Sequence, residues 1–404
     1  DVLGSRGLGD VYKRQDMIFT NLKDNHELYC FGHLTEGAVA YYQATGKDRL
    51  LKAAERFADF IASKLGHGEG KKAGYPGHEI AEMALMRLYD LTGEQKYLDL
   101  AKYFIDERGT KPYYYDIERG LTCPEGEERY SYNQANRPVR QQDEVQGHSV
   151  RAVYLYSGMA DVARATQDES LLKACETLWN NMVHQKMYVT GGIGATHIGE
   201  AFSFNYDLPN DTAYAETCAS IGLVFFARRM LEIQAKAEYA DVMELALYNG
   251  VLSGMALDGK SFFYVNPLES KGDHHRQEWY GCACCPSQLS RFLPSIGNYI
   301  YAASDDALWV NLYIGNTGQI RIGETDILLT QETDYPWDGS VKLTISTSLP
   351  LEKEIRLRIP NWCKTYDLSI NGKRINVSEE KGYAVIKDWK SQDVIALDMD
   401  CLLY

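Results

Sequence analysis

The chain has 404 residues, of which 45% are hydrophobic, so its composition supports a large buried core. Its formal net charge is −14 and it contains no block of basic residues, which argues against nucleic acid as a partner. No run of about eighteen uncharged apolar residues occurs, so the sequence predicts no transmembrane helix.

Three of the nine cysteines lie in one cluster, the other six are scattered along the chain, and the total is odd. This usage does not resemble a disulfide framework, so we expect a reducing, cytoplasmic compartment. Both ends, residues 1–16 and 401–404, read like translated sequencing-adapter DNA. We therefore expect a non-native leader and a non-native tail, with the native N-terminus lost.

Residues 25 to 303 show helical periodicity with recurring hairpins. In Thr45-Gly46-Lys47 and Thr92-Gly93-Glu94 the glycine is expected to end one helix and the charged residue to begin the next. Repeated helical pairs of this size predict a superhelical array or a closed α/α barrel, and we assign them to a domain at 17–303.

The first helices of the pairs are predicted to begin near residues 27, 76, 144, 211 and 285. If these helices run parallel, as in an α/α barrel, their early residues gather on one rim. Those residues are His33, His78, His148, Glu216, Cys218, Cys284 and Cys285. Three long insertions, 109–142, 186–210 and 258–280, are expected to crown the same rim.

Residues 304–400 change to a period of two. Val341, Leu343 and Ile345 alternate with polar residues, and Asn371-Gly372 is a strong hairpin signal. We predict a β-sandwich domain here and assign it a structural role.

The cluster Cys282-Ala283-Cys284-Cys285-Pro286 is the strongest chemical signal. It suits a metal site, a redox pair or a nucleophile at a helix N-terminus, where the positive end of the helix dipole favours a thiolate. Glu216 and Cys218 can reach one ion together with Cys284 and Cys285 if they lie at a helix start. This set of one oxygen and three sulfurs suits Zn²⁺, in either a catalytic or a structural site. A weaker metal-compatible spacing occurs at His26, Cys30 and His33.

Six segments in this order resemble glycoside hydrolase family 127, the β-L-arabinofuranosidase family. They are His26-Glu27-Leu28-Tyr29-Cys30-Phe31-Gly32-His33-Leu34, Gly77-His78-Glu79, Gly147-His148-Ser149-Val150-Arg151-Ala152, Tyr214-Ala215-Glu216-Thr217-Cys218, Phe263-Tyr264-Val265-Asn266-Pro267-Leu268 and the Cys282 to Pro286 cluster. The resemblance implies a mainly α fold with a β domain, an (α/α)6 barrel followed by a β-sandwich. Compared with that pattern the chain lacks residues before His26, so we expect about nine barrel helices rather than twelve.

The resemblance also implies the roles of individual residues. Zinc ligands carry over to Glu216, Cys218, Cys284 and Cys285. Cys284 matches the proposed nucleophile and Glu200 the acid/base, while substrate-binding positions match His33, His78, His148 and Tyr264. Cys282 lies beside the site without an assigned role.

The resulting hypothesis is a retaining glycosidase that releases terminal β-L-arabinofuranose from an oligosaccharide or glycoconjugate, with a homodimer as the candidate assembly. A thiolate would replace the second carboxylate that retaining glycosidases usually employ. The alternatives are a non-catalytic carbohydrate-binding protein with structural zinc, and another α/α-barrel sugar enzyme such as an epimerase or a lyase.

Overall fold

The computed structural model describes residues 17–347 and 353–400, so the expected leader at 1–16 and tail at 401–404 lie outside the described residues. The described residues form two compact units. One comprises 17–229 and 246–289, and the other comprises 230–245, 290–347 and 353–400. Within these ranges no helix is both long enough and apolar enough to cross a membrane.

Helices dominate the first three quarters of the chain, as predicted. They are α1 (Glu27–Thr45), α2 (Arg49–Lys64), α3 (Ala81–Thr92), α4 (Gln95–Glu107), α5 (Tyr114–Arg119), α6 (Ser149–Thr166), α7 (Glu169–Gln185), α8 (Thr217–Gln234), α9 (Ala237–Ala246), α10 (Cys284–Phe292) and α11 (Gly297–Ile300).

The helices form hairpins whose first members lie inside. Gly46 and Gly93 cap α1 and α3 in the left-handed conformation, with φ of 69° and 71°, and so end each first helix where the sequence predicted it. Helices α1, α3 and α6 pack against one another in succession, and α2, α4 and α7 pack against them. Helix α6 is buried almost all round, whereas α2 buries a single face, which places the first helices in the inner layer.

Three of the predicted helix starts were wrong by five to six residues. Helices α3, α6 and α8 begin at Ala81, Ser149 and Thr217 rather than near 76, 144 and 211. The preceding residues are not helical; Ile80, for example, has φ of 164°. Consequently His78, His148 and Glu216 lie just before their helices rather than in the first turn.

The C-terminal part is β-rich, as predicted. Its strands are β1 (Tyr301–Ala303), β2 (Ala307–Val310), β3 (Asn316–Ile322), β4 (Thr325–Thr333), β5 (Ser340–Thr347), β6 (Glu354–Arg358), β7 (Tyr366–Ile370), β8 (Lys373–Arg374), β9 (Ser378–Glu380), β10 (Tyr383–Ile386) and β11 (Val394–Met399).

The strands form two sheets, in the orders β1-β2-β6-β10-β9 and β3-β4-β5-β11-β7-β8. One apolar core joins them, with Leu308 and Leu357 from the first sheet and Leu343 from the second. Val341, Leu343 and Ile345 point into this core, and Asn371-Gly372 forms the predicted turn with φ of 50° and 76°. Two sheets sharing one core form the sandwich that the alternation predicts.

Candidate active site and metal centre

Four metal-ligating side chains meet at the starts of two helices. Glu216 directly precedes α8 and Cys218 lies in its first turn, while Cys284 and Cys285 open α10. Their ligand atoms all lie within 4.8 Å of one another. We call these four residues the cysteine–glutamate quartet. Two chain segments separated by more than 60 residues thus supply two donors each.

The distances within the quartet are short and even. Cys218 Sγ is 3.4 Å from Cys285 Sγ, and Cys284 Sγ is 3.9 Å from Cys285 Sγ. Glu216 Oε1 is 3.4 Å from Cys284 Sγ and 3.8 Å from Cys285 Sγ. This is the spacing of ligands around one ion, so the quartet could hold a metal.

The electrostatics of the quartet favour either protonated donors or a bound cation. Glu216, Cys218 and Cys285 are buried, and Cys284 is half-buried. Burial raises the pKa values of Glu216 and Cys218 well above their usual range. Glu216 Oε2 is buried without a hydrogen-bond partner among the described residues. A buried carboxylate oxygen of this kind is costly unless a cation or a donor reaches it.

Glu200 lies beside the quartet on a short turn, Ile198–Glu200, of the second insertion. His148 Nε2 is 2.7 Å from its Oε2, and the Tyr214 hydroxyl donates to its Oε1 at 2.7 Å. Burial raises the pKa of Glu200, but the hydrogen bonds from His148 and Tyr214 outweigh it and hold the pKa below its usual value.

The start of α6 fixes the tautomer of His148. Its Nδ1 accepts the backbone N–H groups of Val150 and Arg151, at 3.2 and 3.4 Å, and so caps the helix. Because Nδ1 is an acceptor, the proton of the neutral ring lies on Nε2 and is donated to Glu200.

Tyr264 connects Glu200 to the quartet. Its hydroxyl accepts a hydrogen bond from Cys284 Sγ at 3.3 Å and donates to Glu200 Oε1 at 3.4 Å. A sulfur and a carboxylate therefore face each other across a single hydroxyl oxygen. In this arrangement the sulfur can attack a carbon from one side while the carboxyl group transfers a proton on the other.

The other predicted histidines join the site through a chain of aromatic rings. His78 lies 5.5 Å from His148 and 4.4 Å from Tyr29, and Tyr29 lies 4.4 Å from His33, between ring centroids. Burial keeps the pKa of His78 well below its usual value, so this ring is neutral. The structure therefore links His33 and His78 to His148, which contacts Glu200.

The weaker metal spacing at His26, Cys30 and His33 does not produce a cluster. In the described ranges these three residues are not among the groups whose ligand atoms meet at one point, and Cys30 is exposed. The His26 ring instead packs 5.8 Å from that of His78.

Known proteins resemble this chain over almost its full length. The model of the GH127 catalytic domain of β-L-arabinofuranosidase matches residues 10–298, and that of the GH127 middle domain matches residues 307–401. The chain belongs to glycoside hydrolase family 127.

Individual GH127 proteins agree with this assignment. A non-reducing end β-L-arabinofuranosidase from Bifidobacterium longum subsp. longum is 41% identical over 409 residues, covering 95% of this chain and 61% of that protein. The crystal structure of a GH127 β-L-arabinofuranosidase from Geobacillus stearothermophilus T6 is 50% identical, with a TM-score of 0.92, and covers 96% of this chain and 64% of that one.

Another solved GH127 β-arabinofuranosidase is 45% identical, with a TM-score of 0.87, and covers 94% of this chain and 60% of that one. This GH127 chain therefore spans about six tenths of the length of the relatives it matches.

Sequence reasoning missed Tyr214, which binds Glu200. Tyr214 precedes Glu216 by two residues, just before α8 begins. Ala215, between the two residues, has φ of 40°, so this backbone is not an extended strand and no alternation pattern marks Tyr214.

Proposed function

We propose that this chain is a retaining glycosidase that releases terminal β-L-arabinofuranose, with Cys284 as nucleophile and Glu200 as acid/base. The observation that supports it best is the shared contact of Cys284 Sγ and Glu200 Oε1 with the Tyr264 hydroxyl. Family membership supports the choice of sugar, since the relatives are named for it.

We propose zinc as the ion of the quartet. Zinc bonds of about 2.3 Å to sulfur and 2.1 Å to oxygen give tetrahedral edges of about 3.8 Å between sulfurs and about 3.6 Å between sulfur and oxygen. The sulfur–sulfur distances of 3.4 and 3.9 Å and sulfur–oxygen distances of 3.4 and 3.8 Å fit these edges. When bound, zinc would hold the Cys284 sulfur as a thiolate at neutral pH.

In the first step, the Cys284 sulfur attacks the anomeric carbon. The carbon–sulfur bond forms, the bond to the leaving oxygen breaks, and the proton of the Glu200 carboxyl group passes to that oxygen. The hydrogen bonds from His148 and Tyr214 keep the carboxyl group in place for this transfer.

In the second step, the Glu200 carboxylate removes a proton from water. The water oxygen bonds to the anomeric carbon as the bond to the Cys284 sulfur breaks, which regenerates the thiolate and the protonated Glu200. Two successive displacements at one carbon retain its configuration.

The rings of His33, His78 and His148, together with Tyr264, would bind the hydroxyl groups of the transferred sugar. A neutral imidazole both donates and accepts, so it matches a sugar hydroxyl without the cost of burying a charge. The thiols of the quartet must stay reduced, which is the reason to propose a reducing compartment for the protein.

The test combines stereochemistry with metal content. Hydrolysis of an aryl β-L-arabinofuranoside should release β-L-arabinose first, as followed by proton NMR, and elemental analysis should find one zinc per chain. Initial release of the α anomer would exclude the two-step mechanism. Sugar binding without hydrolysis, with zinc bound and both residues intact, would favour the carbohydrate-binding alternative.

A further inference from the structure

Tyr132 is an aromatic ring held at the edge of the Glu200 turn. It lies in the first insertion and is 40% exposed. Its backbone carbonyl accepts a hydrogen bond from the His148 N–H at 3.2 Å. A Cβ added to Gly199 would lie 2.9 Å from Tyr132 Cε2, and Gly199 has φ of 72°. Only glycine therefore lets the ring lie this close to the residue before Glu200.

Arg151 supports this ring from one side. Its guanidinium carbon lies 4.6 Å from the Tyr132 ring centroid, which is cation–π distance. The side chain is only 8% exposed, and its Nε has no hydrogen-bond partner within the described ranges. The buried guanidinium therefore holds the Tyr132 ring in place from one side. The exposed surface of Tyr132 belongs to the rest of the ring.

The contacts of Glu200 determine which part of a substrate would meet Tyr132. Cys284 reaches Glu200 through Tyr264 and Oε1. Tyr132 is instead next to the partner of the second carboxyl oxygen: its ring is edge-on to His148, which binds Oε2, at 5.8 Å between ring centroids. The transferred sugar must lie between the sulfur and the carboxyl group, so the leaving group extends past Glu200 and away from Cys284.

We propose that Tyr132, backed by Arg151, is the stacking platform for the leaving group, which would be the sugar ring adjacent to the scissile bond. The C–H face of a sugar packs on an aromatic ring, whereas the polar hydroxyls stay in water. This inference rests on the proposed function and adds a specificity-determining residue that acts on the leaving group alone.

The experiment measures binding and turnover of ligands that differ only in the leaving group. Calorimetry would compare a non-hydrolysable, sulfur-linked β-L-arabinofuranosyl disaccharide with methyl β-L-arabinofuranoside, for the unaltered chain, Tyr132→Ala and Tyr132→Phe. Phe204→Ala is the matched control, because Phe204 is an exposed aromatic residue of the second insertion with an exposed fraction of 72%. Hydrolysis of the oxygen-linked disaccharide would be followed in parallel.

Tyr132→Ala should weaken binding of the disaccharide about tenfold and raise its KM similarly, while binding of the methyl glycoside stays unchanged. Tyr132→Phe and Phe204→Ala should behave like the unaltered chain. An equal loss for both ligands would place Tyr132 against the transferred sugar and overturn the inference alone. No loss for either ligand would also overturn it. Absence of binding of both ligands to the unaltered chain would overturn the proposed function as well.

Discussion

Two clusters of ionisable side chains in this protein differ in how their negative charges are balanced. In the second unit Arg358 is fully buried and donates to Asp241, at 2.6 Å, to Glu244 and to the Asn311 carbonyl. In the first unit Glu216 is equally buried among three cysteines, and one of its oxygens has no partner within the described residues. In the Arg358 cluster each carboxylate is paired with a cationic side chain of the same chain, whereas the quartet contains no basic residue.

The difference separates structural charge from functional charge. A buried ion pair whose partners are satisfied locally needs no ligand, and its worth is measured by what breaking it costs. A buried set of carboxylate and thiol donors can lower its energy only by staying protonated or by binding a cation. The quartet could therefore hold a cation, whereas the Arg358 cluster already contains one.

The largest expected effect is on catalysis. Cys284→Ser should reduce kcat/KM by about 10³-fold or more, because a hydroxyl cannot replace the thiolate as nucleophile. The matched variant is Cys282→Ser, since Cys282 is exposed, lies two residues away and is outside the quartet. It should remain within a few-fold of the unaltered chain. Comparable losses in the two variants would remove the special role of Cys284.

Metal removal should come next. Chelation should lower the free energy of unfolding by about 3–5 kcal/mol, because it leaves like-charged donors buried without a cation. Thermal unfolding with and without chelator measures this, and added zinc should restore the midpoint. An unfolding midpoint that does not respond to the chelator, in a chain shown to contain metal, would contradict the interpretation of the quartet.

Arg358→Met should destabilise the chain by about 3 kcal/mol, since it leaves the buried Glu244 and the partly buried Asp241 without their cation. The chelator should lower the unfolding midpoint of this variant as much as that of the unaltered chain. The positive charge of the Arg358 cluster comes from a side chain and not from a metal, so changing it should not alter what the chelator removes. Loss of the chelator effect in Arg358→Met would mean that the two clusters are not independent.

The smallest effect concerns the pH profile. Tyr214→Phe removes a hydrogen bond that favours the ionised form of Glu200, so the pKa of Glu200 should rise toward its usual value. The acid form then persists to higher pH, and the alkaline limb of kcat/KM should move upward by about one pH unit. Tyr206→Phe alters an exposed residue of the insertion that carries Glu200, and it should leave the limb in place. A shift toward lower pH would contradict the assignment of Glu200 as the acid.

The sequence foretold the parts of the structure that depend on local patterns. Glycine caps ended α1 and α3, alternation predicted the core of β5, and the vicinal cysteines predicted a group of side chains that could hold a metal. The starts of α3, α6 and α8 were placed five to six residues too early. The non-helical residues just before these helices are partly polar and show no clear hydrophobic periodicity, so the boundary could not be located from the pattern.

The site roles of residues on the insertions could not be predicted from local sequence patterns. Glu200 is held by side chains 52 and 14 residues away, on a turn with left-handed backbone at Gly199 and Glu200. Nothing in its neighbourhood marks that contact, so only the family resemblance nominated it. Tyr132 and Tyr214 remained unassigned for the same reason, since long-range packing of loops decides where their rings lie.

One measurement tests the central claim that Cys284 is the nucleophile. Glu200→Gln should still bind an activated aryl β-L-arabinofuranoside, release the aryl group and then stall, because no base activates water. Peptide mass spectrometry of the stalled protein should find one pentosyl group on Cys284, and Glu200→Gln combined with Cys284→Ala should carry none. A pentosyl group on Glu216, or rapid turnover without any adduct, would contradict the account.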